Sequence, residues 1–303
     1  MKRGRWGKST TSDHGSLKSV KGEEMNMRVI NFNIKGARIP GKKDHATQER
    51  SWHLLAAYGA DLALIQEAEL KAIPNWARER WSIVTGEPSI LGDSQVGWGS
   101  AIAAHKGLKL RSRTDLLDRK WAKPLYDYAV FGQIELPDGN PALVVSVHAP
   151  AKRVPEYLES VHKAGALTPE EMATIAQPGD DAWAADLFFA AISPLVEHER
   201  FLVGGDWNNS RLFDLDPTLR KRGQPPFAAM FFTRACDAGW FECHGSKNEE
   251  RSFLDLKKRP HQLDHLFCDN KTAKKMKDCC VRADWVAPEL SDHAPMVTDF
   301  LWP

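Results

Sequence analysis

Apolar strand-like runs that stop on a polar side chain recur along this sequence, and they constrain the fold more than any other feature. RVINFN ends at Asn33, DLALIQE at Glu67 and ALVVSVH at His148; FLVGG is followed by Asp206 and Asn208. Asp264 lies inside HQLDHLF, and Asp292-His293 precede the last run, APMVTDF. Runs of this length and composition read as strands. A carboxylate at a buried strand end is costly unless it is paired. One such residue carries little weight, and Glu67 alone reads as a surface carboxylate. A series of them is reconciled when the strand ends meet around a cation and a bound anion. Carboxylate and amide oxygens are hard donors, suited to Mg²⁺ or Mn²⁺. Histidines and an asparagine beside them suit negative charge developing on a phosphoryl group.

The segments between these runs alternate in character. Residues 48–58 have helical spacing, with Trp52, Leu55 and Tyr58 near one face. Residues 99–104 and 126–136 read as strands. The stretch 153–198 is mostly helical, broken near 165–168 and 178–179, and its Trp183, Leu187 and Leu195 point to helices packed on a sheet. Residues 227–238 form a helix closed by Gly239. Strands interleaved with helices at irregular intervals indicate a layered α/β or α+β sandwich rather than a regular βαβ array. There is no GxGxxG after a strand and no GxxxxGK[ST], so dinucleotide and P-loop functions fall away. The expected organisation is a basic leader over 1–25, with six basic residues against three acidic ones, and one domain over 26–303.

Composition narrows the function classes. The chain has 303 residues, 42% hydrophobic and 27% charged, enough for a sizeable core. It contains no apolar run of about 18 residues, the length a membrane helix needs, and no apolar core of a secretory signal near its start. Its formal net charge is only +1, which argues against a purely electrostatic polyanion binder but allows a local basic patch. The five cysteines (Cys236, Cys243, Cys268, Cys279, Cys280) are odd in number and form no CxxC pair. Free thiols in a reducing, cytoplasmic setting are the expectation.

Asn33, Gln66-Glu67, the run ending at His148, Gly205-Asp206-Trp207-Asn208, the LDH around Asp264 and Ser291-Asp292-His293 occur in that order. In this the chain resembles the endonuclease/exonuclease/phosphatase superfamily, from about Met27 to Trp302. That group includes pancreatic deoxyribonuclease, abasic-site endonucleases, sphingomyelinases and inositol-polyphosphate phosphatases. The resemblance implies two mixed β-sheets packed face to face with helices outside, a four-layer sandwich. It also implies roles. Glu67 would hold the divalent metal, with Asn33 and Asp292 nearby. His293 would touch the scissile phosphate or act as acid–base, oriented by Asp264. Asp206 would position or deprotonate the attacking water, and Asn208 and His148 would donate to phosphoryl oxygens. The implied activity is a metal-dependent phosphodiesterase, a nuclease on DNA or RNA. The alternatives are a phosphomonoesterase on a small or lipid-derived phosphate and a non-catalytic binding module. Abasic-site enzymes typically carry Tyr where His148 stands and Lys soon after the QE; here Ala68-Glu69 follow, which weighs against that subgroup.

Several other patterns have simpler readings. Ser291-Asp292-His293 are contiguous and cannot form a nucleophile–base–orienter relay, and no GxSxG exists. His261 and His265 are spaced like a helical zinc pair, but Pro260 before them and LFC after them argue strand, and His261 reads as exposed. Trp207 points away from its neighbours on an extended segment and reads as core. Basic residues cluster at 106–123, 220–222 and 257–259. The last run lies just before the Asp264 strand, where it suits a polyanion backbone.

Overall fold

Strict alternation inside strands buried on both faces builds this molecule. The structure is a computed structural model and describes residues 24–34, 45–86, 98–117, 128–165, 168–169, 183–215, 227–245, 249–254, 261–286 and 290–302. The elements run β1 (Met25–Asn33), α1 (His45–Ala57), β2 (Leu62–Glu69), α2 (Asn75–Arg80), β3 (Trp81–Thr85), β4 (Trp98–His105), β5 (Arg111–Ser112), β6 (Ala129–Glu135) and β7 (Pro141–His148). They continue with α3 (Val154–Lys163), α4 (Ala184–Val196), β8 (Phe201–Asp206), α5 (Phe227–Asp237), β9 (Phe241–Glu242), β10 (Asp264–Cys268), α6 (Asn270–Ala273), β11 (Met276–Val281) and β12 (Met296–Trp302).

Two six-stranded sheets result, in the orders β11-β12-β1-β2-β4-β3 and β5-β6-β7-β8-β10-β9. Each is mixed. The pairs β1–β2 and β7–β8 are parallel, and the neighbours around them antiparallel. Val29, Leu62, Leu64, Val144, Leu202 and Leu266 face one another between the sheets. Their chain neighbours Ile30, Ala63 and Ile65 face outward under α1 and α2, around Trp52, Leu55 and Ala77. Val145, Val203 and Phe267 face outward on the second sheet, under α3, α4 and α5. Both faces of each central strand are therefore apolar, as buried parallel strands require. Each fully buried Leu or Phe contributes roughly 1.5–3 kcal/mol. The four-layer α/β sandwich is the one expected.

The glycine pair before Asp206 has a packing reason. A Cβ on Gly205 would stand 1.8 Å from the Val147 carbonyl oxygen on the parallel neighbour β7. Gly205→Ala is therefore expected to cost about 3 kcal/mol, at the upper end of ordinary overpacking; urea melts of the purified variant check this. Gly239 closes α5 at φ +79°, the left-handed position where glycine is favoured.

The structure corrects some expectations. His261 is buried, not exposed: its ring meets the edge of Phe213 (4.8 Å) and its Nδ1 lies 3.4 Å from Ser210 Oγ. The strands β3 and β11 and the helix α2 were not evident in the sequence. Lys106 and Lys109 follow β4, whose end pairs with the start of β2, so they sit at the opposite end of the sandwich from Glu67. Lys109 there binds Glu135 at 2.8 Å. The basic runs 220–222 and 257–259, Arg119, Lys120 and Lys123 lie outside the described residues, as do residues 1–23 of the leader. No helix among the described residues is long and apolar enough to cross a membrane.

Candidate active site

Register alone brings the polar strand ends to one edge. Asn33 is level with Gln66 on the parallel pair β1–β2, and His148 with Asp206 on β7–β8. The antiparallel strand β10 starts at Asp264, opposite Asp206. The antiparallel strand β12 starts opposite Asn31, so residues 291–295 enter from the same edge. Alternation then sets direction. Asn33, His148, Asp206 and Asp264 continue the inward rows of Val29, Val144, Leu202 and Leu266. Just below them, Gln66 Nε2 donates to Asn31 Oδ1 (3.0 Å) and Ser146 Oγ (2.9 Å), which ties the two sheets together.

Glu67 breaks the rule. Counting from inward Leu64 and Gln66, residue 67 belongs on the outer face. The β2–β4 register shifts between Ile65 and Ala68, and Glu67 adopts φ +51°. Its carboxylate thereby comes back to the site, with Oε1 3.1 Å from Asn33 Nδ2 and 3.5 Å from His148 Nε2. A left-handed glutamate costs on the order of 1–2 kcal/mol.

Asp206 is the hub. Its Oδ2 accepts from Asn33 Nδ2 (2.9 Å) and Asn208 Nδ2 (3.2 Å) and lies 3.6 Å from His293 Nε2 and 3.8 Å from His148 Nε2. Its Oδ1 accepts the Asn208 backbone N–H at 2.9 Å, and Asn208 is itself left-handed at φ +46°. Burial pushes the Asp206 carboxyl pKa up, against the opposing charge of His293. His293 Nδ1 lies 2.8 Å from Asp264 Oδ2. Burial works against a charged ring there, but Asp264 and Asp206 together raise His293 to about 10. The two carboxylates favour the protonated ring, whose Nδ1 donates to Asp264.

Two serines latch these segments. Ser252 Oγ accepts the Asp264 backbone N–H (3.1 Å), and the Ser252 carbonyl accepts that of Ala294 (2.7 Å). Ser291 Oγ donates to the Asn33 carbonyl (2.8 Å) and accepts the His293 backbone N–H (3.0 Å). The Ser252 latch and the Ser291–Asn33 bond have no local sequence signature, because their partners are distant in the chain. Asp292 is half-buried and its carbonyl accepts the Leu254 N–H. Trp207 is fully buried against Phe231, Trp240 and Phe267, as core.

Behind the turn 206–210 lies a buried ionic row. Arg211 grips Glu242 through two bonds (3.1 and 2.6 Å), and Glu242 Oε1 meets His265 Nδ1 at 3.0 Å. Burial raises the Glu242 carboxyl pKa, but His265 and Arg211 more than reverse this and bring it to about 2. Burial lowers the His265 pKa, but Glu242 raises it above 6.5 overall. The Glu242 contribution is present above its ordinary value of 4.5 and is lost as pH falls through about 2. The His265 contribution is complete below 6.5 and is lost as pH rises through its elevated pKa. Glu242→Gln is therefore expected to destabilise most between pH 4.5 and 6.5 and less on either side; urea melts across that range read the difference.

Among the described residues, two groups of ligand atoms lie within 4.8 Å of one another: Glu67, His148 and Asp206, and Asp206, Asp264 and His293. Asp292 belongs to neither. The first group fits a hard divalent ion. It offers two carboxylates, one of them fully buried, held side by side by the Asn33 amide, and such a pair is stabilised by a cation between its charges.

The profile of the Endonuclease/Exonuclease/phosphatase family matches residues 30–293. Among curated proteins none matches in sequence. Similar solved structures include an AP endonuclease from Archaeoglobus fulgidus (14% identity, TM-score 0.60, 90% of this chain and 99% of that one). Another is a 3'-5' exonuclease from Neisseria meningitidis (16%, 0.59, 91% and 100%). A third is the catalytic domain of human Nocturnin (13%, 0.56, 92% and 96%). At these identities the structures speak for the fold. The family match over most of the chain speaks for more: this protein belongs to the Endonuclease/Exonuclease/phosphatase family and is an enzyme of that divalent-metal-dependent group of phosphoester hydrolases.

Proposed function

We propose that the protein is a phosphodiesterase dependent on Mg²⁺ or Mn²⁺, a nuclease acting on DNA or RNA. The observation that carries this reading is the meeting of Glu67, His148 and Asp206 with the Asp264–His293 pair at one edge of the sandwich. Glu67 would hold the metal, with Asn33 beside it and Asp292 nearby though outside the group of converging ligand atoms. When bound, the cation supplies Lewis-acid polarisation of a phosphoryl oxygen. Asp206, buried and with a raised pKa, orients the attacking water and takes its proton. Asn208 and His148 donate to the phosphoryl oxygens, and so does the His293 imidazolium, which Asp264 keeps in place. The solved structures named above include an AP endonuclease and a 3'-5' exonuclease, which supports nucleic acid as the substrate.

The test is a panel of plasmid, single-stranded DNA, RNA and inositol phosphates, each with Mg²⁺ and with chelator. Cleavage of nucleic acid that stops on chelation is the expected result. Release of inorganic phosphate alone would replace the reading with a phosphomonoesterase, and cleavage that survives chelation would remove the metal from the mechanism.

A further inference from the structure

Asp264 and His265 are consecutive on β10, so their side chains leave opposite faces of the strand. Asp264 points into the site and holds His293. His265 points to the outer face, fully buried, with Phe232 edge-on at 4.9 Å. Its Nδ1 is 3.0 Å from Glu242 Oε1, and its Nε2 is 2.9 Å from the Asn209 carbonyl. Nε2 faces two carbonyls, those of Asn209 and Gln262 (3.1 Å), and donates there; Nδ1 stands between the Glu242 carboxylate at 3.0 Å and the Gln262 side-chain amide at 3.3 Å, and the closer carboxylate favours a proton on it. Arg211 anchors the far side of Glu242 and stacks over Phe232, with Cζ 3.6 Å from the ring centre. The row alternates in sign, as a buried charged group requires.

What the row holds is the turn that carries two proposed site residues. After β8 the chain is tied at the Trp207 N–H, which donates at 2.9 Å to the carbonyl of Leu263, the residue before β10. Its next tie to β10 is the Asn209 carbonyl, on His265. Between these two points stands Asn208, in its left-handed conformation. Asn208 is also held from its own side, by its N–H on Asp206 Oδ1 and its Nδ2 on the Ala149 carbonyl (2.9 Å each); without the His265 tie the peptide that follows Asn208 loses its anchor to β10 and gains freedom to shift toward the commoner backbone regions.

We propose that His265 is a positioning residue for phosphoester hydrolysis: by donating one N–H to Glu242 and the other to the Asn209 carbonyl, it fixes the strained turn that aims Asn208 and Asp206 at the substrate. This rests on the reading of Asp206 and Asn208 given above. One strand then steers the site through both faces, inward through Asp264 and outward through His265.

The test compares His265→Leu, which removes both donors, with His265→Gln, which keeps one amide N–H donor. The assay is steady-state cleavage of a fluorescent oligonucleotide with Mg²⁺. Supporting tissue of this kind is worth about 10–100-fold, so H265L is expected to lose that much kcat with KM within about twofold. H265Q is expected to recover most of the loss. NMR of the Asn208 side-chain amide reads the turn without turnover: its signals should move in H265L and return toward the parent in H265Q. A folded H265L with parental kcat and unmoved Asn208 signals overturns the proposal, as does equal impairment of the two variants. Should H265L not fold, H265Q and Glu242→Gln decide: small kcat losses with Asn208 near its parental position support it, and a loss in H265Q as large as that of Asn208→Ala contradicts it. If the parent protein cleaves no phosphoester, the functional reading fails, while the Asn208 signals still test the positioning.

Discussion

Glu67→Gln is expected to lower kcat/KM for Mg²⁺-dependent phosphoester hydrolysis about 10³-fold, roughly 4 kcal/mol of transition-state stabilisation. The substitution keeps the shape of the side chain and an acceptor oxygen for Asn33 Nδ2, which now bonds Glu67 at 3.1 Å. It removes only the charge. In the metal-free protein that charge stands beside the buried Asp206, both bound to the same amide, so the melting temperature should stay level or rise. Mn²⁺ affinity should fall in parallel with activity. Steady-state kinetics, a thermal melt and an isothermal Mn²⁺ titration together check the three parts. Activity within tenfold of the parent would remove Glu67 from the metal.

His293→Ala is expected to damage both stability and activity, and a second substitution should separate the two. Asp264 is fully buried, and its Oδ1 has no hydrogen-bond partner among the described residues. Its Oδ2 depends on His293 at 2.8 Å. Removing one member of such a pair leaves an uncompensated buried charge, at about 3–5 kcal/mol. The lost donor to the phosphoryl group should cost a further 10²–10⁴-fold in kcat, the range of a single acid–base residue. Adding Asp264→Ala removes the stranded charge, so the double variant H293A/D264A should regain much of the lost stability while its activity stays low. Urea melts on the four members of the cycle give the coupling energy. Additive losses in stability would mean that the two side chains do not act as a pair.

The sequence made the architecture and most of the strand ends legible because both depend on short-range periodicity. Asn33, His148 and Asp206 each close an apolar run whose alternation already points them inward. Trp207 followed from the same count and is core. Glu67 was legible as a candidate only through the motif: alternation by itself sends it outward, and the shifted register and positive φ that return it leave no trace in the sequence. The ring of supports was illegible for a different reason. Ser252, Glu242 and His265 act through bonds whose partners are mostly distant in the chain, and no local pattern marks them; Ser291 stands in the Ser-Asp-His motif, but its bond to the Asn33 carbonyl, 258 positions away, leaves no local trace. His261 is buried where an exposed side chain is expected, because its partners Ser210 and Phe213 lie some fifty residues away and come to it only on folding. β11 escaped notice as an edge strand with exposed and half-exposed residues rather than alternation.

The most direct test of the account is a Mn²⁺-soaked crystal measured for anomalous scattering. The predicted result is a peak within coordination distance of the Glu67 carboxylate, at the edge where β1, β2, β7 and β8 end. Full Mn²⁺ loading with no peak there, or with the ion bound elsewhere on the surface, would contradict it.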